Sequence, residues 1–309
     1  MSTTIGTDDV EAQDDDQQDD DSIFDRALDE TPEFAGIIET GVLDMRLRHI
    51  AKTVDEFRLR VTHDGLGIMA VDAANVAMIR IVISPQNFDM YRVSQEGTVG
   101  VNVDTFRDYL KSMDTDMATM KIEADTRELR LSDMDSRVHA GGGLIDPSSI
   151  RMEPDMPDLD LPATVTVENM AVVHDYLKKL DNSDYALFQA SENGLSLFTE
   201  RDSDDISLTL WGDGPLGGKG DVTVESAPSD GSPVSDVPST VRELHEDAPV
   251  AESAFSAKYL CGFFRKMLKR HMSGVSYQIR LGDEIPVIIQ RETKFDDDEI
   301  TLMLAPRIQ

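Results

Sequence analysis

Along most of the chain, apolar and polar residues alternate over short runs. Glycine turns break the runs, as do segments whose apolar period lengthens to that of a helix. "DEFRLRVTHDGLGIMAVD" at 55–72 and "SDYALFQASENGLSLFTERD" at 183–202 share one layout, with Gly65 over Gly194, Leu66 over Leu195 and Ile68 over Leu197. Both read as strand, Gly-turn, strand. Each is preceded by a predicted helix: "GVLDMRLRHIAKTV" at 41–54, with Leu43, Leu47, Ile50 and Val54 at helical spacing, and "MAVVHDYLKKL" at 170–180. Each is followed by another: "DTFRDYLKSM" at 104–113, where Asp104 is placed to cap, and "SAKYLCGFFRKMLKRH" at 256–271. Self-similarity of this kind reports a duplicated unit. The pattern predicts an α+β chain in which strand, helix, several strands, helix, several strands occurs twice.

Segments of other character bound these units. Residues 1–32, dominated by "DDDQQDDD", are too poor in apolar residues to offset the entropy of ordering and are predicted to be a disordered acidic tail. Within them Ile23, Phe24, Ala27 and Leu28 have the spacing of one transient helical turn. The N-terminal unit is expected over 33–143, a connector over 144–162 and the C-terminal unit over 163–309. The connector's "DPSSIRMEPDMPDLDLP" carries four prolines, which disfavour helix and internal sheet and predict an extended surface path. Residues 212–250, rich in Gly, Pro and Ser and without an aromatic residue, are expected to be a flexible insertion. The chain closes on "LMLAPRIQ", where Leu302 and Leu304 suit a last strand but Ala305 to Gln309 do not alternate and need another role.

Charge changes the picture more than length does. The chain carries 60 acids against 29 bases, a formal charge of −31. Twelve of the acids lie in residues 1–32, yet the remainder still sums to −20. Aspartate outnumbers glutamate, and only ten residues are lysine. Such a surface suits molar salt, which screens self-repulsion, and implies a salt-loving host, a haloarchaeon or a virus of one. A lone Cys261 excludes a disulfide framework and a cysteine metal site. No apolar run approaches the roughly 18 residues of a membrane span, and no signal-peptide pattern opens the chain, so a cytoplasmic protein without membrane contact is expected.

The four predicted helices depart from this acidity. They hold seven of the ten lysines and five arginines against four aspartates, and no glutamate. Arg46, Arg48, His49 and Lys52 fall on the first helix, Arg107 and Lys111 on the second, Lys178 and Lys179 on the third. Lys258, Arg265, Lys266 and Lys269 fall on the fourth. Arg107 with Lys111, and Lys258 with Arg265 and Lys269, share a face opposite the apolar stripe. Lys and Arg are good helix formers, which is the bland explanation. It would have placed Glu there as well. A phosphate-facing surface that binds duplex DNA without reading sequence explains the bias better.

Other chemistry is set aside. "GDGPLGGKGD" at 212–221 has the wrong spacing for a phosphate loop and lacks its Ser or Thr. The six histidines show no metal-ligand spacing, and "FDDDEIT" at 295–301 lacks convergent ligands in an Asp-rich chain. No catalytic residue, metal or cofactor is expected.

"GLGIMAVDAANVAMIRIVI" at 65–83, "GVNVDTFRDYLK" at 100–111, "LIDPSSIRMEPDMPDLDL" at 144–161 and the closing "LAPRI" together resemble the archaeal and eukaryotic DNA sliding clamp family, proliferating cell nuclear antigen, in its haloarchaeal form. The resemblance implies two similar domains per chain and three chains closing a ring around duplex DNA, basic helices inside, with no catalysis. It implies a processivity factor whose partners, a DNA polymerase, a clamp loader and other proteins, dock short peptides in an apolar pocket. Carried over by motif, that pocket comprises Val71, Asn75, Val76 and Met78 from the first domain, Met152 and Met156 from the connector and Pro286 from "DEIPVII". Met303, Leu304, Ala305, Pro306 and Arg307 complete it from the chain end. Methionines supply adaptable walls for such a role.

Subunit contact is implied between Val138, His139, Ala140, Gly141, Gly142 and Gly143 of one chain and Ile206, Ser207, Leu208, Thr209 and Leu210 of the next. The three glycines are poor strand residues. A weak or rebuilt contact, and with it an open or monomeric peptide-binding module, is therefore the alternative to a closed homotrimer.

Overall fold

The structure is a computed structural model that describes residues 23–307 apart from 114, 136, 155, 158, 169, 180–182, 201–204, 212–221, 227–250, 257–274 and 294–297. The first half runs β1 (Glu33–Glu39), α1 (Thr40–Ile50), β2 (Glu56–Thr62), β3 (Gly65–Val71), β4 (Ala77–Ile83), β5 (Phe88–Gln95), β6 (Gly97–Asn102), α2 (Val103–Ser112), β7 (Met117–Glu123), β8 (Glu128–Asp133) and β9 (His139–Gly143). The second runs β10 (Ala163–Val167), α3 (Met170–Leu177), β11 (Tyr185–Ser191), β12 (Gly194–Glu200), β13 (Asp205–Trp211), β14 (Val222–Ser226), β15 (Ala251–Ser256), β16 (Val275–Leu281), β17 (Val287–Thr293) and β18 (Glu299–Leu304).

The duplication read from the hairpins extends to every pairing. In the first half β1 pairs with β5 and β7, β7 with β8, and β8 with β9. In the second, β10 pairs with β14 and β16, β16 with β17, and β17 with β18. The hairpin strands match likewise: β2 with β3 and β6, β3 with β4, then β11 with β12 and β15, β12 with β13. Gly65 and Gly194 occupy the same turn with φ of 145° and 143°, a conformation that a side chain would strain.

Among the described residues, one strand pairing joins the halves. The last strand, β18, lies antiparallel to β4, with Leu302 opposite Ile79 and Leu304 opposite Ala77. It fuses the two halves into a nine-stranded sheet ordered β14-β10-β16-β17-β18-β4-β3-β2-β6. The counterparts of β18 and β4 are β9 and β13. Each of these ends its own sheet, β9 in the order β5-β1-β7-β8-β9 and β13 in the order β13-β12-β11-β15.

Alternating strands put one face inward, as in β16, where Val275, Tyr277, Ile279 and Leu281 are buried and the residues between them half-buried. The helices cover that face. Leu43, Leu47 and Ile50 of α1 and Phe106 and Leu110 of α2 join Phe57, Leu59 and Ile79 in a core that continues through both halves.

Several local expectations are corrected. Asn102, not Asp104, caps α2: its side-chain oxygen accepts from the Thr105 amide at 3.0 Å, and Asp104 sits in the first turn. α1 ends at Ile50 and α3 at Leu177, short of the 54 and 180 expected. Within the supposed insertion, "VTVES" forms β14, because the edge of β10 supplies it with a partner. Gly141, Gly142 and Gly143 do form a strand, and the Tyr109 hydroxyl lies where a Cβ on Gly142 would come within 2.5 Å of it. Residues 23–32, expected to be disordered, lie against the sheet, and Ile23 is buried. The remainder of the tail, most of 212–250 and the predicted helix at 256–271, except for Ser256 which ends β15, lie outside the described residues.

Candidate functional site

Between the β3–β4 loop, the connector and the chain end runs a groove of about 500 Å³. Asp72 builds its first wall. Its carboxylate accepts from the amides of Val76 at 2.7 Å and Ala77 at 2.9 Å, turning the chain through Asn75, which takes the left-handed φ of 55° that Asn tolerates. The connector forms the second wall and is pinned at two points. Arg151 donates to the Asn75 side-chain oxygen at 2.6 Å, and Arg58 donates to the carbonyls of Pro147 at 3.0 Å and Ile150 at 2.7 Å. The chain end closes the third side, since Ala305 donates its amide to the Val76 carbonyl at 2.7 Å and Arg307 its amide to Ala254 at 2.7 Å. These bonds are what the apolar closing peptide is for: it is laid down as a wall.

The groove brings together Val71, Asn75, Val76, Met78, Met152, Met303 and Ala305 of the expected pocket. Its floor is apolar, since Val71, Met78 and Met303 line it, and they belong to a cluster in which Met69, Val71 and Met78 are buried together with Phe24, Met156 and Met303 packed on them. Met152 stands 74% exposed on the rim, unusual for so large an apolar side chain. Four expected members fall elsewhere: Leu304, Pro286, Pro306 and Arg307, whose guanidinium lies 5.8 Å from the Tyr185 ring centre. Leu304 turns the other way, into the core opposite Val287, because adjacent strand residues face opposite sides. Pro286 and Pro306 are half-buried outside the groove. Sequence reading also missed Ala77, Arg151, Glu153 and Pro154 of the lining. Burial pushes the Glu153 carboxyl above its ordinary value even though Arg58 stands 3.7 Å away.

The basic positions divide by exposure. Lys52, Lys111 and Lys179 are exposed, and so is Lys178, which donates to Asp175 at 2.8 Å. Lys111 donates to Asp108 at 2.8 Å. Asp44 accepts from Arg48 at 2.7 Å and from Arg107 of the neighbouring helix at 3.1 Å, which ties α1 to α2 and shares one carboxylate between two cations. Two positions are corrected outright. Arg46 is 1% exposed and bound to the buried Asp298, and His49 is 4% exposed. Burial, with Arg46, Arg291 and Arg48 close by, holds the His49 pKa down to about 3, so it is neutral at ordinary pH. Neither presents a cation to solvent. Lys258, Arg265, Lys266 and Lys269 lie outside the described residues. Among the described residues no cluster of His, Cys, Asp or Glu could hold a metal ion, and no helix is long and apolar enough to cross a membrane.

Comparison with known proteins decides the family. Residues 35–138 match the model for the proliferating cell nuclear antigen N-terminal domain. The DNA polymerase sliding clamp of Natronomonas pharaonis is 30% identical over 279 residues, 89% of this chain and 99% of that protein. This chain belongs to the sliding clamp family. The Halobacterium salinarum clamp is also 30% identical, over 89% of this chain and 99% of its own. Among solved structures, the Archaeoglobus fulgidus clamp bound to the C-terminal region of FEN-1 superposes with a TM-score of 0.72 at 27% identity, covering 89% of this chain and 99% of that one. The Thermococcus kodakaraensis clamp, 18% identical, shares the fold with a TM-score of 0.69 over 89% of this chain and all of its own. The family model begins at residue 35, after the docked segment at 23–32.

Proposed function

We propose that this clamp is a DNA polymerase processivity factor: three identical chains form a ring around duplex DNA, and replication and repair proteins dock by short peptides in the groove. The observation that carries the ring is the duplicated topology. β18 and β4 already pair edge to edge within the chain, and their counterparts β9 and β13 end their sheets. Pairing β9 of one chain with β13 of the next repeats the internal junction and removes both exposed edges, which a rotation can close. On this reading residues 33–143 and 163–309 are the two clamp domains and 144–162 the connector. On the same reading Arg48, Lys52, Arg107, Lys111, Lys178 and Lys179, with Lys258, Arg265, Lys266 and Lys269 of the predicted fourth helix, face the phosphates. The clamp loader and polymerase act on the assembled ring, and the clamp itself catalyses nothing. The groove's place for a partner peptide is supported by its methionine floor and by the FEN-1 segment bound to the A. fulgidus relative.

The predominance of acid suits a molar-salt cytoplasm, so assembly is tested in high salt. Sedimentation in molar KCl is expected to give three times the 34.2 kDa chain mass. Clamp loaded on nicked circular DNA is expected to stay and to leave when the circle is cut. A persistent monomer, or equal loss from circular and linear DNA, identifies the open peptide-binding module instead.

A further inference from the structure

The docked segment before the family domain has no part in the function above, and its place on the sheet is built. Gly67 lies mid-strand in β3, where a Cβ would come within 2.8 Å of Ile23 and 3.2 Å of Phe24. Gly97 opens β6, and a Cβ there would collide with the Glu30 carbonyl and the Pro32 nitrogen. Glycine in a strand interior marks a close approach, and here both glycines lie under one crossing segment. The Thr98 amide donates to the Glu30 carbonyl at 3.0 Å, and the Gln95 side chain to that of Thr31 at 2.9 Å. Arg60 donates to the Arg26 carbonyl at 3.3 Å. Arg26 in turn meets the Glu96 carboxylate at 3.6 Å and forms a closer pair with Asp64. The guanidinium of Arg80 lies 4.6 Å from the Phe24 ring centre and that of Arg60 5.7 Å.

The far end of this track is the groove. Phe24 packs on the same Met69, Val71 and Met78 cluster as Met303 and the connector's Met156, and Val71, Met78 and Met303 also line the groove. An apolar anchor that a partner peptide buries on that floor meets Phe24.

We propose that residues 23–31 are a built-in ligand of the clamp, seated at the β3 end of the peptide groove, which an incoming partner peptide must displace. The inference rests on the groove being the partner site. A tethered competitor lowers the apparent affinity of a free ligand by the fraction of time it occupies the shared floor, and its local concentration is in the millimolar range. Only partners with a strong aromatic or aliphatic anchor then hold the clamp, which sorts specific clients from weak ones. The docked state is chemically suited to yielding. Its two ion pairs are partly exposed, and ordering the segment costs conformational entropy that release returns.

The test uses the full chain and a fluorescein-labelled synthetic peptide copying the FEN-1 C-terminal region. In the double variant Ile23→Asp, Phe24→Ala the dissociation constant is expected to fall about 3- to 10-fold. An unchanged or larger constant overturns the proposal, since Phe24 would then be inert or a wall of the site. In the unaltered protein, saturating peptide is expected to accelerate hydrogen exchange at the Thr98 amide, whose acceptor is Glu30. Unaltered exchange also overturns it, independently of how the variant folds. A peptide that binds neither protein removes the groove reading itself, an outcome distinguishable from equal binding to both.

Discussion

At the scale of the residue, α1 shows how little a cationic side chain says without its burial. Arg46, Arg48 and His49 of α1 and Lys52 just past its end lie within seven positions, yet Arg46 and His49 face inward and Lys52 outward. Arg46 meets Asp298, whose carboxylate also accepts from the Ser84 amide at 2.9 Å and from the Asn87 side chain, so a single aspartate fastens α1, the end of β4 and the turn after it. Removing one partner leaves the other charged and dry. Asp298→Ala is expected to cost about 3–5 kcal/mol in denaturant unfolding, against little for Asp108→Ala on the exposed face of α2. His49 adds a pH dependence of defined sign. Its folded pKa of about 3 lies below the unfolded value near 6.5, so between those values the unfolded chain takes up a proton that the native state refuses. The stability it contributes is present above pH 6.5 and is lost as pH falls toward 3, by about 1.4 kcal/mol per pH unit within that window. Comparing unfolding free energies of the parent and His49→Gln from pH 7 to 4 isolates that slope, and parallel curves would contradict it.

At the scale of the element, legibility followed the distance over which each element finds its partners. The hairpins announced themselves because alternation and the Gly turn are local, and Gly65 and Gly194 do share a left-handed φ. The three helices among the described residues were visible from their period, although Val54 fell beyond α1 and the cap of α2 shifted two residues to Asn102. β14 was not visible. Five residues in a Gly, Pro and Ser-rich stretch become a strand only because β10 offers an edge, which local composition does not record. Ile23 and Phe24 were misread for the same reason, their partners being Gly67, Arg60 and Arg80 in other strands. In the groove, the motif placed the loop and chain end but not the sense of Leu304, since a one-residue step reverses a strand side chain. The glycine strand β9 is open to a direct test. Among the described residues only the Tyr109 hydroxyl crowds a Cβ on Gly142, its ring carbon being 3.6 Å away, an ordinary contact. Gly142→Ala is expected to destabilise by about 1–3 kcal/mol, and the cost is expected largely to vanish in a Tyr109→Phe background. A double-mutant cycle by denaturant unfolding measures the coupling. Equal costs in both backgrounds would mean that backbone entropy, not the tyrosine, sets the preference for glycine.

At the scale of the whole molecule, a chain of charge −31 must hold a polyanion while its solvent screens most attraction. The proposed ring would resolve the conflict, because enclosure retains DNA without requiring affinity, which leaves the basic positions to centre and load the duplex. The two contributions separate by salt. Phosphate contacts lose strength steeply as salt rises, about one counterion for each contact, whereas a closed ring on a closed circle is indifferent to screening. Replacing Lys52, Lys111 and Lys179 by Glu is therefore expected to slow loading and flatten its salt dependence, while clamp already on circular DNA stays there in molar KCl. Lys121→Glu serves as the control. It is exposed on β7, where its neighbours Met120 and Ile122 point into the helix-packed core, so Lys121 faces away from the helices. That variant should load like the parent, scored by gel filtration of clamp bound to nicked circles across a KCl series. Equal defects in the two variants would mean that general charge governs loading. A triple variant shed from circles in molar KCl would mean that contact rather than enclosure holds the DNA.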